Sequence, residues 1–204
     1  MIALVDYGAG NLRSVEFALE HLGIPFRRAG DPVALRGADA VILPGVGAAA
    51  SAMRELEDRG LAGALRETPL PVLGVCLGLQ LFTERSQEGD SPVDCLGLVP
   101  GETRRLGEGH GDFPLPLPHI GWNETVLSGD PLFEGLPDRE HFYYLHSYRA
   151  AVAPDRVIAE AEYGERFPAA VRSGRRVAVQ FHPEKSGAAG LRVLANFCGA
   201  ERAP

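Results

Sequence analysis

Two short segments can between them supply a nucleophile, a base and an orienting carboxylate: Gly74-Val75-Cys76-Leu77-Gly78 in mid-chain and Gln180-Phe181-His182-Pro183-Glu184 near the end. The first follows an apolar run, Pro71-Val72-Leu73, and precedes a helical-looking stretch, Leu79-Gln80-Leu81-Phe82. Cys76 therefore stands where a buried strand turns sharply into a helix, the setting of a nucleophile elbow. At such a turn the chain doubles back on itself, and glycines at positions 74 and 78 give room for the close approach. A thiol in the first turn of a helix also meets unpaired N–H groups and the positive end of the helix dipole, which favour thiolate. The backbone N–H of Leu77 is a natural donor to an oxyanion. A lone cysteine in an apolar strand is more often a small buried hydrophobe. That reading suits Cys95 and Cys198, which lack the flanking pair of glycines.

His182 follows a candidate strand, Val177 to Phe181, and precedes a proline, which biases it towards an extended conformation. Residues two apart on an extended segment share a face. Glu184 can thus approach one imidazole nitrogen while the other points at the thiol, the base-plus-orienter logic of a triad. A third segment, Ala40-Val41-Ile42-Leu43, reads as a buried strand running into Pro44-Gly45-Val46-Gly47. Its glycines allow peptide orientations closed to other residues, so Val46 or Gly47 can offer a second N–H to the oxyanion. An ordinary strand-to-helix turn is the alternative for that loop.

The elements that must position these groups form an α/β pattern. Strand-like runs at Ile2 to Asp6, Ala40 to Leu43 and Pro71 to Val75 alternate with helical patterns at Leu12 to Leu22 and Leu191 to Phe197. The candidate loops then fall at the carboxyl ends of parallel strands, the usual place for sites in open α/β sheets. Between Cys95 and His182 the pattern changes to short extended segments, including Trp122 to Leu127, Phe142 to Tyr148 and Val157 to Tyr163, which read as an inserted antiparallel layer. Gly107 to Pro118 is rich in Gly and Pro and reads as a surface loop leading into a His119-Ile120-Gly121-Trp122 turn. The last residues, Glu201 to Pro204, read as frayed.

Composition narrows the class. With 204 residues and 45% hydrophobic content the chain suits one sizeable core, and residues 1–204 read as a single domain. Twenty basic against 27 acidic residues give a net charge of −7, which offers no general attraction to nucleic acid. Met1 to Val5 already reads as a strand without a basic flank, so no signal peptide is expected; no apolar run is long enough to span a membrane, and the three cysteines fit a reduced, cytoplasmic setting. Gly8-Ala9-Gly10 after the first strand suggests a dinucleotide fingerprint, but Arg13 occupies the third glycine position and is too large for it. His141 and His146 are an odd number of residues apart and face opposite sides of a strand, so they make no metal pair. Of the basic residues all but Lys185 are arginine, and that lysine directly follows Glu184. Chance placement is one explanation; a role that a branched guanidinium cannot fill is the other.

The elbow, the PGVG loop and the later FHPE resemble the class I, triad-type glutamine amidotransferases, which hydrolyse glutamine and pass ammonia to a synthase. Four longer runs point to one branch of that family, the glutaminase subunits of histidine biosynthesis. They are Asp6-Tyr7-Gly8-Ala9-Gly10-Asn11-Leu12, Pro118-His119-Ile120-Gly121-Trp122-Asn123, Tyr144-Leu145-His146-Ser147-Tyr148 and His182-Pro183-Glu184-Lys185-Ser186. The resemblance extends to Phe197 and implies a three-layer, flavodoxin-like fold with a mostly parallel central sheet. It implies Cys76, His182 and Glu184 as the triad, with Val46 and Leu77 as oxyanion donors and Gly47 beside the substrate. It further implies that Gln80, Glu88, Ser147 and Tyr148 hold the glutamine. Taken alone, Gln80 is a polar helix residue and Glu88 a solvated charge. No cofactor or metal is implied. A chain with no phosphate-binding loop for an ammonia acceptor needs a partner, and the resemblance supplies one: a separate β/α-barrel cyclase subunit, joined as a heterodimer. Asn11, Trp122, Tyr143 and Lys185 are the implied interface residues, although Trp122 and Tyr143 suit a core equally well. Related subunits serving other acceptors, such as anthranilate, aminodeoxychorismate or formylglycinamidine synthesis, and a non-catalytic binding protein of the same fold, are the competing readings. An intact Cys76, His182 and Glu184 count against the last.

Overall fold

The computed structural model describes residues 1–8, 11–107 and 115–199. The expectations for Gly107 to Pro118 therefore fall largely outside the described residues, as do Ala9 and Gly10 and the end from residue 200. In chain order the first half runs β1 (Ile2–Val5), α1 (Leu12–His21), β2 (Phe26–Ala29), β3 (Ala40–Gly45), α2 (Ala49–Asp58), α3 (Leu61–Glu67), β4 (Val72–Cys76) and α4 (Leu77–Phe82). Short strands β5 (Arg85–Ser86) and β6 (Val93–Asp94) lead to β7 (Gly101–Arg105), β8 (His119–Leu127), β9 (Arg139–His146) and β10 (Tyr148–Val152). The chain closes with β11 (Val157–Tyr163), β12 (Glu165–Ser173), β13 (Arg176–Val179) and α5 (Gly187–Cys198).

Every residue of β1, β3 and β4 is buried, as expected of strands covered on both faces. Alternate residues feed two cores. Ile2 and Leu4 of β1, with Leu73 and Val75 of β4, pack against Val15 and Leu19 of α1 and Val193 and Leu194 of α5. Ala3, Val5 and Val72 face the opposite core, filled by Met53 and Leu56 of α2 and Leu61 and Leu65 of α3. Strand periodicity and helix periodicity together thus make three layers. The one buried charge on α1, Glu16, accepts two hydrogen bonds from Arg28 of β2, at 2.6 and 2.9 Å. These bonds hold its carboxyl below the usual carboxylate range.

The main sheet has nine strands in the order β2-β1-β3-β4-β13-β12-β11-β8-β9. The first five are parallel, in the doubly wound order of flavodoxin-like folds. The remaining strands, antiparallel except for the β5–β7 pair, resolve into two parts. β12, β11, β8 and β9 continue the same sheet beyond β13, while β10, β7, β5 and β6 form a separate four-stranded sheet that packs Ala150, Val152 and Val93 on the α2–α3 side. Phe142, Tyr144, Phe167 and Ala169 carry the other core outward under the antiparallel half. The extension requires hairpin connections in place of crossover helices, and the Gly- and Pro-punctuated segments supply them.

Two local expectations change. The His119-Ile120-Gly121-Trp122 segment is the start of β8, not a turn: His119 pairs with His146 and Trp122 with Tyr143 in a regular antiparallel ladder, and Gly121 takes its positive φ within the strand. The extended run through Tyr148 breaks at Ser147, so β9 and β10 lie in different sheets.

The elbow is as tight as its glycines imply. Cys76 has φ 54° and ψ −106° and is the only non-glycine residue with positive φ among those described. Such a conformation costs on the order of 1–3 kcal/mol. A Cβ on Gly78 would lie 2.2 Å from the Leu43 carbonyl oxygen, and one on Gly74 would lie 2.8 Å from Gly78. Backbone stands on both sides of the first clash, so β3 itself must move to relieve it. Gly78→Ala is expected to lower the thermal midpoint by roughly 5 °C or more and to disturb the loop at the end of β3. A melting curve superimposable on that of the unsubstituted protein would contradict this packing.

Candidate active site

Adjacent strands β4 and β13 deliver the two halves of the candidate triad. The ladder sets Val75 beside Val179, so the chain ends leaving these strands carry Cys76 and His182 to the same edge of the sheet. Cys76 is 5% exposed and His182 1% exposed. His182 Nδ1 lies 2.8 Å from Glu184 Oε1, with both side chains almost fully buried. Their contact has a different origin from the extended segment expected: Pro183–Lys185 is a 3₁₀ turn, which folds the carboxylate back beneath the ring. The turn is pinned from several sides. The His182 N–H donates to the Tyr143 carbonyl at 2.9 Å, and the Ser186 hydroxyl donates to the His182 carbonyl at 2.6 Å while accepting the Tyr143 N–H at 3.0 Å.

Burial alone would push the His182 pKa down, but pairing with Cys76 and Glu184 outweighs it and lifts the value to about 10. The pairing thus favours the charged imidazole, the counter-ion that a thiolate nucleophile requires. His182 Nε2 is buried without a conventional hydrogen-bond partner, although its charge is coupled to Cys76. Loose contacts of this kind are common before substrate tightens a site. The thiol is held laterally: Sγ lies 3.7 Å from the Leu145 carbonyl, and the Gln180 amide donates towards Sγ at 3.9 Å. The other two cysteines differ. Burial pushes Cys95 up to about 11 and Cys198 up to about 12. A glutamine-analogue electrophile is expected to label Cys76 and leave Cys95 and Cys198 essentially unmodified. Peptide mapping checks this; equal labelling of the three would refute the assignment.

A cavity of about 220 Å³ opens over the thiol, with Cys76 and His182 in its wall. Val46 and Gly47 from the loop after β3, and Leu77 at the start of α4, line one side. Gly47 has φ +95°, which fits the peptide freedom expected of that loop. Gln80, Glu88, Ser147 and Tyr148 line the rest. Glu88 is more than a solvated charge: its carboxylate accepts the Ala49 N–H at 2.7 Å, at the start of α2. Gln80 is buried and donates its amide to the Tyr148 carbonyl at 3.1 Å. Every residue expected at the triad, the oxyanion site and the glutamine site thus borders one cavity, apart from Glu184, which stands behind His182. Pro118, Leu145 and His146 in the wall, and Gln180 beside the thiol, fall within the motif segments but are given no role at the site by the sequence reading. Their only signal is membership of those segments, which does not distinguish a wall residue from a neighbour.

The expected interface residues divide. Trp122 is 57% exposed, so the core reading fails for it. Its ring meets Tyr143 edge-on at 6.3 Å, and Lys185 Nζ stands 5.8 Å over the Tyr143 ring. Ile120 and Leu145, cross-strand partners on the same outer face, are also exposed. This is an apolar surface beside the mouth of the cavity. Asn11 occupies the position immediately before α1 and makes no side-chain cap bond there.

A strained cysteine on an elbow, a buried histidine and the buried carboxylate bonded to it are the equipment of an enzyme that attacks an amide through a covalent thioester. The glutamine amidotransferase class-I family model matches residues 3–200. Similar curated proteins are the imidazole glycerol phosphate synthase subunit HisH 1 of Vibrio vulnificus (strain YJ016), 44% identical over 201 residues, and the HisH subunit of Xanthomonas axonopodis pv. citri (strain 306), 47% identical over 197 residues. Each alignment covers 96% of both chains. Among solved structures, a glutamine amidotransferase aligns with TM-score 0.74 at 22% identity, over 98% of this chain and 100% of the other. PurLQS of Thermotoga maritima aligns with TM-score 0.71 at 19% identity, over 97% of each. The chain belongs to the class I glutamine amidotransferase family, and within it to the branch of HisH subunits of imidazole glycerol phosphate synthase.

Among the described residues no helix is long and apolar enough to cross a membrane.

Proposed function

We propose that this chain, acting as one domain in the cytoplasm, hydrolyses glutamine through Cys76 and delivers the ammonia to a β/α-barrel cyclase subunit with which it forms a heterodimer, as the glutaminase half of imidazole glycerol phosphate synthase in histidine biosynthesis. The observation that carries the reading is convergence: nucleophile, base and the polar side chains suited to an amino acid share one small cavity.

The Cys76 thiolate attacks the side-chain carbonyl carbon of glutamine. Charge develops on the carbonyl oxygen, and the N–H groups of Leu77 and Val46, with Gly47 beside them, receive it. As the tetrahedral adduct collapses, protonated His182 gives its proton to the departing nitrogen and ammonia leaves. Water then adds to the γ-glutamyl thioester with His182 as base, releasing glutamate and restoring the thiol. Glu184 keeps the ring in the productive tautomer and stabilises its charged form. Gln80, Glu88, Ser147 and Tyr148 hold the amino-acid end, Glu88 being suited to the ammonium group because one carboxylate oxygen is already oriented by Ala49.

Free ammonia in water is protonated and lost as a nucleophile, so the product must cross a sealed contact. Trp122, Tyr143 and Lys185, together with Asn11 before α1, are the residues proposed to make it. The direct test is co-purification with candidate synthase subunits followed by a glutamine-dependent cyclisation assay. A stable complex that makes product from glutamine supports the reading; association with an anthranilate-type synthase in place of a cyclase would reassign the acceptor.

A further inference from the structure

In the cavity wall and just behind it, two buried histidines form a hydrogen-bonded chain that the mechanism above leaves unused. His119 and His146 are cross-strand partners on β8 and β9, with 3% and 5% exposure. His119 Nδ1 lies 3.0 Å from His146 Nε2, and His146 Nδ1 lies 2.9 Å from the Tyr148 carbonyl oxygen. At the other end the Asn123 amide nitrogen is 3.4 Å from His119 Nε2 and donates to the Glu162 carbonyl at 2.8 Å.

Only one arrangement of protons satisfies this chain. A carbonyl oxygen accepts, so His146 must carry its proton on Nδ1. In the neutral ring Nε2 then accepts, which requires His119 to donate from Nδ1 and to accept at Nε2 from Asn123. Charging His146 would set donor against donor along the chain. Burial acts in the same direction, taking His119 down to about 4 and His146 to about 3. His119 is further fixed between two rings, stacked on Tyr163 at 4.1 Å and on Tyr144 at 5.0 Å. The direction of the chain is therefore set, and it ends at the carbonyl that also receives the Gln80 amide.

We propose that His146 and His119 are positioning residues for glutamine: a neutral relay anchored at Asn123 that clamps the Ser147–Tyr148 segment, and with it Gln80, in the shape that receives the substrate. The inference rests on the glutaminase reading for its ligand. The relay does not touch the scissile amide, so it acts on substrate binding and leaves the reactivity of the thiol alone. Because both rings are uncharged, the clamp adds no cation beside protonated His182.

The test uses the wild-type complex with its cyclase and the His119→Phe and His119→Asn variants. Phenylalanine keeps the stacking and removes the donor; asparagine restores a donor at the Nδ1 position. Leaving His146 Nε2 buried and unpaired is expected to raise KM for glutamine about 10-fold. kcat and the rate of Cys76 alkylation by iodoacetamide should change by less than about threefold, and asparagine should recover most of the KM. A fall in kcat with unchanged KM, or no recovery by asparagine, would overturn the proposal. A second measurement needs no variant: nitrogen-15 histidine spectra of the wild-type protein should give the Nδ1–H tautomer for both rings, and an Nε2–H tautomer or an imidazolium at either would overturn it as well. A wild-type complex without any glutaminase activity would instead sink the functional reading, while the spectra still decide the relay.

Discussion

Cys76→Ala is expected to cut glutamine-dependent synthesis by a factor of about 10⁴ or more, while ammonia-dependent synthesis by the assembled complex persists. The size follows from the role. Without sulfur no thioester forms, and the remaining donors and binding groups cannot open that route. The persistence follows from the division of labour, since the thiol acts only in making ammonia. Structural side effects should be small, because the alanine Cβ coincides with one already present. It does retain the positive φ of residue 76, so the strain stays in place. The measurement is product formation with glutamine and with ammonium salt, on complexes verified by size. Equal loss of both activities in an intact complex would show that Cys76 does something other than release ammonia.

The second large effect concerns the loop after β3. Hydrolysing glutamine with no acceptor at hand wastes it, so the free subunit should turn over slowly. Gly47 at positive φ, a residue type that tolerates peptide orientations closed to others, is where such control is expected. Loss of one oxyanion donor lowers turnover by about 10²–10³-fold, and the isolated subunit should fall below the nucleotide-bound complex by that factor. Lys185 is placed to carry the signal: it stands over Tyr143, whose carbonyl takes the His182 N–H and whose own N–H reaches Ser186. Lys185→Ala should therefore narrow the gap between free and activated states. Steady-state glutaminase kinetics on the free subunit, the complex and the complex with acceptor nucleotide would decide it. If the isolated subunit matched the activated complex, the loop would be a fixed oxyanion site.

The parts of this site that are legible in the sequence are those whose chemistry is local. Glycines on both sides of Cys76 have no purpose unless backbone passes within contact distance there, and Leu43 and Gly78 supply those contacts. His182 and Glu184 lie two residues apart, so almost any compact turn brings them together; a 3₁₀ turn in place of the expected extended segment leaves the pairing intact. What escapes a sequence reading is set by partners remote along the chain. Gly121 and the prolines before it read as a turn because local propensity carries no information about a ladder with β9. Four antiparallel strands read as a separate layer because alternation reveals a half-buried face without saying which sheet it joins. Spacing sets His146 against His141, five residues away, whereas its partner His119 lies across the ladder. The exposure of Trp122 is equally hidden, since an aromatic in a strand serves a core or a docking face with the same residue type.

The pairing of β4 with β13 has a consequence for the order in which the protein is made. Val72 to Val75 align with Arg176 to Val179, so the nucleophile emerges from the ribosome roughly a hundred residues ahead of its base. Throughout that interval Cys76 lacks the His182 imidazole and the Glu184 carboxylate behind it. Contacts of such large sequence separation are slow to form because the intervening chain must first be ordered. Chemical competence thus arrives only with the closing strand, and a nascent or half-folded chain, lacking its base, does not consume glutamine.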